Sequence, residues 1–234
     1  MQLIASTQFH GVDGFTPDET LAPDDAQHVI EAAGRACYMA FNKPNPATRA
    51  NKNYIANIIK SRHASVLEHA TATFFITGVS RNLTHELIRH RMASYSEISQ
   101  RYVDARKLSI VRPPGFGNGD WLWLQKARDH ALDSYQSYVS RGKASGVVGK
   151  KAREAARAFL PSSTETQIVV TANYRAWIEI LQKRDDPAAD AEIRGLAQEI
   201  GRQLAVLAPH VFGPAARRLW SWDTSQEAPK GEQT

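Results

Sequence analysis

Between His85 and Tyr102 the chain runs HELIRHRMASYSEISQRY, which puts three arginines, two histidines, two carboxylates and three serines into eighteen residues. Three guanidinium groups, at Arg89, Arg91 and Arg101, cannot sit close together without something to neutralise them. Arginine stays charged at any ordinary pH and presents a planar fork of donors suited to phosphate. Glu86 and Glu97 supply some counter-charge but are outnumbered. The simplest reading is a pocket for phosphorylated ligands. The plainer alternative is a solvated face laced with pairs such as Glu86–Arg89, each worth about 0.3–0.5 kcal/mol.

Around this cluster the sequence reads as mixed α and β. The N-terminal MQLIASTQFHGVDGF reads as a first strand. Asp24 and Asp25 can cap a helix running to Phe41, and Tyr54 to Arg62 forms a short helix. TATFFITGV (71–79) and TQIVVTANY (166–174) are rich in β-branched and aromatic residues and read as strands. LSIVRPP (108–114) reads as another strand, stopped by its prolines. Ser80 can cap a helix through HELIRHR, with Arg89 and Arg91 at its C-terminal end, while SYSEISQRY is extended or looped. Further helices are expected over 121–141, 147–159, 175–183 and 188–207. The predicted fold is α+β, a central and mostly antiparallel sheet flanked by helices in a single domain over 1–222. Residues 223–234 are polar and are expected to form a disordered tail.

Composition narrows the function. The chain has 234 residues, 42% apolar and 23% charged, which are values of ordinary globular proteins. It has no apolar run long enough to cross a membrane and no secretory leader pattern, so a cytoplasmic enzyme with no membrane partner is expected. The net charge of +5 attracts phosphorylated metabolites or nucleic acid. The basic residues are spread along the chain with no arginine-rich tail. That favours discrete anion pockets over a nucleic-acid track, so no nucleic-acid partner is expected.

Several motifs fail on inspection. His85 and His90 are five apart, not four, and point to different sides of a helix, so no metal site is expected. GFGNGD lacks the helix and Lys-Ser/Thr of a phosphate loop and reads as a surface turn. The single cysteine, Cys37, lies in the apolar stretch AAGRACYMAF and reads as a buried structural thiol, not a nucleophile.

The order Arg89-His90-Arg91, then Ser94, then Ser99 and Arg101-Tyr102, resembles the signature of the flavin-dependent (alternative) thymidylate synthases. RHASVLEH (62–69), AARAFLP (155–161), TETQIVVTANYRAW (164–177) and QKR ending at Arg184 fall in the order seen in that family. The likeness spans roughly residues 25–215. It implies reductive methylation of dUMP to dTMP, with methylenetetrahydrofolate as carbon donor and NADPH-reduced FAD as hydride source, in a homotetramer with shared active sites. By position, dUMP would meet Glu86, Leu87, Ile88, Arg89, Glu97, Ile98, Ser99, Gln100, Arg101 and Arg157. Arg184 would face the pyrimidine as the catalytic group. FAD would meet His63, Ser65, Arg89, His90, Arg91, Glu97, Asn173, Tyr174, Arg175 and Glu179. Glu179 stands where the family carries Asn or His, Ser96 where Asn is frequent, and DDPAAD lacks a histidine. The rival reading is a non-catalytic basic nucleotide- or RNA-binding protein. A flavin reductase that transfers no carbon is a third.

Overall fold

The computed structural model describes residues 1–22, 24–41 and 45–220. The expected tail therefore lies outside the described residues. A four-stranded antiparallel sheet of order β1-β2-β4-β3 is formed by β1 (Gln2–Ser6), β2 (Thr71–Ser80), β3 (Ala93–Glu97) and β4 (Glu165–Asn173). The helices are α1 (Ala26–Ala36), α2 (Asn51–Lys60), α3 (Arg81–Leu87), α4 (Asn118–Ala144), α5 (Lys150–Ala156), α6 (Tyr174–Arg184), α7 (Ala191–Leu207), α8 (Pro209–Phe212) and α9 (Pro214–Leu219). This is the α+β class the sequence predicts.

Alternation builds the two central strands. Ala72, Phe74 and Ile76 of β2 are fully buried, as are Ile168 and Val170 of β4, while their neighbours reach the surface. Successive side chains of a strand point to opposite faces, so this spacing gives each strand one apolar side. The chain's contacts group into two compact units, one of residues 1–2 with 75–170 and one of residues 3–74 with 171 onward.

The first unit carries α3, β3, α4 and α5. A small apolar cluster of Ala105, Tyr135 and Ala156 packs there with Leu132, Val139 and Leu160. The second unit carries α1, α2 and α6 to α9. Trp177 of α6 is fully buried, meets Phe74 edge-on at 5.2 Å between ring centres, and donates its indole N–H to the Ala72 carbonyl at 3.1 Å. Asn51, at the start of α2, is a fully buried polar hub of the same unit. Its backbone N–H donates to Asp18 at 2.7 Å and its side-chain NH₂ to the Gln27 carbonyl (3.1 Å) and to Glu31 (2.8 Å). Its amide oxygen lies 2.8 Å from His210 Nδ1. Burying an amide is costly unless its donors and acceptor are met, and here all are.

Several expected elements are corrected. LSIVRPP forms no strand; Ile110 makes one isolated antiparallel bridge to Thr164, and Pro113 and Pro114, which have no N–H, end the pairing. α3 stops at Leu87, so Arg89, His90 and Arg91 lie beyond the helix and not on it. α1 stops at Ala36, short of the expected Phe41. Cys37 consequently sits past the last turn and is exposed, with exposed Tyr38 and Met39 after it, so the buried-thiol reading is wrong. α4 begins earlier than expected because Asp120 accepts from the Gly117 N–H at 3.0 Å and closes its first turn.

Candidate functional site

The expected nucleotide residues of the first unit gather where α3 gives way to β3. Ser80 accepts a hydrogen bond from the Leu83 N–H at 3.0 Å and starts α3. Leu83 and Leu87 are buried, and Ile88 is 44% exposed. The Arg-His-Arg turn is held from below by Tyr95, whose hydroxyl donates to the carbonyls of His90 (2.7 Å) and Leu87 (3.0 Å). Burial pushes the Tyr95 phenol up to about 12, so it remains a donor. His90 is buried, whereas Arg89 and Arg91 are exposed. Among the described residues, neither of these two guanidiniums has an ion-pair partner, while Arg81, Arg101 and Arg175 each have one.

Glu97 closes β3. One of its carboxylate oxygens accepts from Thr84 Oγ1 at 2.8 Å and pairs with Arg81 at 3.1 Å. Ile98 donates to the Gln167 carbonyl at 3.0 Å, and the chain then turns. The Ser99 carbonyl receives the N–H groups of Tyr102 (3.0 Å) and Val103 (2.9 Å), which sets the 99–102 bend. A cavity of about 310 Å³ opens here, lined by Arg81, Thr84, His85, Glu97, Gln100 and Ser162 among others. Arg101 pairs with Glu154 of α5 at 2.6 Å. Arg157 follows α5 and is exposed.

The expected residues of the second unit form a separate set. α2 ends in a tight reversal, with Arg62 at φ 55°, its N–H on the Ile59 carbonyl and the His63 N–H on the Ile58 carbonyl, both at 3.0 Å. This pairing is the Schellman ending of a helix, which places the residue after the cap in the left-handed region. His63 and Ser65 follow, both exposed. Asn173 caps α6 by accepting from the Ala176 N–H at 2.8 Å. Tyr174 is fully buried against Phe212, 5.0 Å between ring centres, and burial raises its phenol above the usual range. Its backbone N–H is also taken, donating to the Ala70 carbonyl at 2.8 Å, so Tyr174 belongs to the core and offers no exposed group to a ligand. Arg175 pairs with Glu68 at 2.6 Å, and Glu179 with Lys183 at 2.6 Å on the exposed side of α6. Arg184 is the last residue of α6 and is half-buried.

Some participants were not anticipated. Arg81 and Thr84 hold Glu97, Glu68 holds Arg175, and Glu154 holds Arg101. Each joins residues apart in sequence, and only the Ser80 cap signalled that Arg81 and Thr84 would share a helix with Glu86.

Comparison with known proteins gives the family. The family of thymidylate synthase complementing proteins matches residues 19–210, which include every expected site residue. A flavin-dependent thymidylate synthase of Mycobacterium tuberculosis (strain ATCC 25177 / H37Ra) is 47% identical over 223 residues, covering 91% of this chain and 88% of the relative. Those of Mycobacteroides abscessus and Mycolicibacterium gilvum are each 45% identical, again over 91% of this chain and 88% of the relative. With the signature intact and the likeness running through both sets of residues, the chain belongs to the flavin-dependent thymidylate synthase family.

Proposed function

We propose that this chain converts dUMP to dTMP by reductive methylation, with methylenetetrahydrofolate as carbon donor, FAD as cofactor and NADPH as reductant, in a homotetramer with shared active sites. The observation that carries the reading is the pair of exposed guanidiniums, Arg89 and Arg91, which have no carboxylate partner among the described residues. Cations left open beside a fixed turn suit an anionic ligand. The donor set fits FAD, whose diphosphate needs such forks. Arg89, His90 and Arg91 would hold it, and the family likeness adds His63, Ser65, Asn173 and Arg175, from the same or a neighbouring protomer of the tetramer. Reduced FAD, once bound, supplies the hydride.

The chain's own residues supply binding and polarisation. Arg101 and Arg157 take the nucleotide phosphate, and the 99–101 bend orients it. Arg184 faces the pyrimidine and stabilises charge developing at N3 and O4; a preorganised donor of that type is commonly worth about 3–4 kcal/mol. Ser99 orients the nucleotide and does not attack it. Among the described residues no histidine or carboxylate hydrogen-bonds its hydroxyl, and a serine needs such a base to become a nucleophile.

Release of tritium from C5-labelled dUMP, dependent on both the folate and NADPH, tests the assignment. A colourless protein that binds nucleotide without flavin would support the RNA- or nucleotide-binding rival. NADPH oxidation without tritium release would mark a flavin reductase. If Ser99→Ala kept full dUMP affinity yet formed no product, the orienting role of Ser99 would be wrong.

A further inference from the structure

α5 reaches the nucleotide segment with three side chains. Lys150, Arg153 and Glu154 are spaced i, i+3 and i+4 and therefore share one helix face. The Lys150 ammonium lies 4.8 Å from the Tyr102 ring centre. Arg153 Nε donates to the Arg101 carbonyl at 3.0 Å. Glu154 Oε2 lies 2.6 Å from Arg101 Nη2. The first two contacts hold the Tyr102 ring and the Arg101 carbonyl. The third ties up a side chain whose proposed task is elsewhere.

The pair is poorly insulated. The two side chains are 39% and 48% exposed, so water reaches both groups. The guanidinium is also incompletely used, because its Nε is buried and has no hydrogen-bond partner. A carboxylate satisfies one edge of the fork; a phosphate dianion carries more charge and more acceptor oxygens. Two anions with one cation between them compete.

We infer that Glu154 is an internal competitor for the nucleotide phosphate: its carboxylate holds the Arg101 guanidinium in the empty protein and is displaced when the dianion arrives. This rests on the reading of Arg101 as a dUMP ligand. Glu154 then lowers affinity for every ligand that needs Arg101 and leaves ligands without phosphate unaffected. It keeps Arg101 from sampling other anions in the absence of substrate. Lys150 and Arg153 hold the segment in place whichever anion is bound.

The test is calorimetric titration of the flavin-loaded, full-length protein with dUMP, with deoxyuridine and with inorganic phosphate. Exposed ion pairs are weak, so Glu154→Gln is expected to tighten dUMP and phosphate about two- to fivefold. Deoxyuridine affinity should not change. In an Arg101→Ala background the same substitution should have no effect, because nothing is left to compete for. Glu154→Ala should repeat the gain, and matched thermal midpoints would show that neither variant is misfolded. A gain in affinity on removing a native contact is not expected of a merely structural pair. Unchanged or weaker dUMP binding by Glu154→Gln, with normal binding by the parent, overturns the inference and leaves the proposed function standing. If the parent binds no dUMP, the proposed function falls. The phosphate titration then decides alone, tighter binding supporting the competition and unchanged binding refuting it.

Discussion

Replacing Arg62 tests how the chain delivers His63 and Ser65. Arg62 follows α2 just past its cap, at φ 55°, in a region where a side chain crowds the carbonyl that follows. Its side chain is exposed and makes no hydrogen bond or ion pair among the described residues, so truncation removes no contact. The left-handed conformation costs a residue with a Cβ about 1–2 kcal/mol. Glycine escapes that cost but gains freedom in the unfolded chain, which takes back about 0.4–1 kcal/mol. The net expectation is that Arg62→Gly exceeds Arg62→Ala in stability by about 0.5–1 kcal/mol. Alanine is the right reference because both variants lose the same charge near the helix end, and with it the same dipole contribution. At this chain length the difference corresponds to a midpoint about 1–4 °C higher for the glycine variant. Thermal and denaturant unfolding at one fixed protein concentration, without added ligands, would measure it. An alanine variant as stable as the glycine variant, or more so, would show that the reversal at Arg62 is not strained and that the account of this helix ending is wrong.

Tyr95→Phe takes the side-chain donor from the His90 carbonyl, leaves the Leu87 carbonyl only the His90 N–H, and should cost about 1–3 kcal/mol, with less flavin retained per chain by visible absorbance. The same variant bears on alkaline stability: the native phenol titrates at about 12 and the unfolded one near 10, so the unfolded chain loses its proton first and stability falls as pH rises between them. Denaturant titrations at pH 8 and pH 11 should therefore show a smaller alkaline loss in Tyr95→Phe than in the parent; an equal loss would remove Tyr95 from the explanation. Arg157→Ala should weaken dUMP binding about 10- to 100-fold, as expected for a charge-assisted hydrogen bond, and leave deoxyuridine binding unchanged. Cys37→Ser should retain turnover within about twofold, since hydride delivery needs no covalent attack; abolished turnover with intact dUMP binding would restore the exposed thiol as a nucleophile.

How far the sequence could be read follows from where the determinants lie. β2 and β4 were legible because alternation is local: Phe74 and Ile76, or Ile168 and Val170, declare a buried face within a few residues. The end of α3 was not. Leu83 and Leu87 continue a helical pattern into Ile88, but Tyr95 takes the Leu87 and His90 carbonyls from across a turn that no local periodicity encodes. LSIVRPP failed for a similar reason, since its strand-like composition found only one bridging partner at Thr164. Cys37 was misjudged because its apolar neighbours lie on α1 whereas it falls one step past the helix. The candidate site was visible as chemistry, through its clustered arginines, but not as partnership. Tyr174 shows the same limit, because its place in TETQIVVTANYRAW gives no hint that Phe212 takes its ring into the core.

Asn51 has a consequence at a distance. It bolts the first turn of α2 to Asp18, Gln27, Glu31 and His210 at once. α2 runs ten residues from that bolt, a rod about 15 Å long, and His63 hangs just beyond its tip. A greasy helix face alone could slide by a turn and still find apolar neighbours; a fully engaged amide has one seat. The aim of His63, proposed as a flavin contact, is thus governed from the opposite end of α2, by a fully buried side chain.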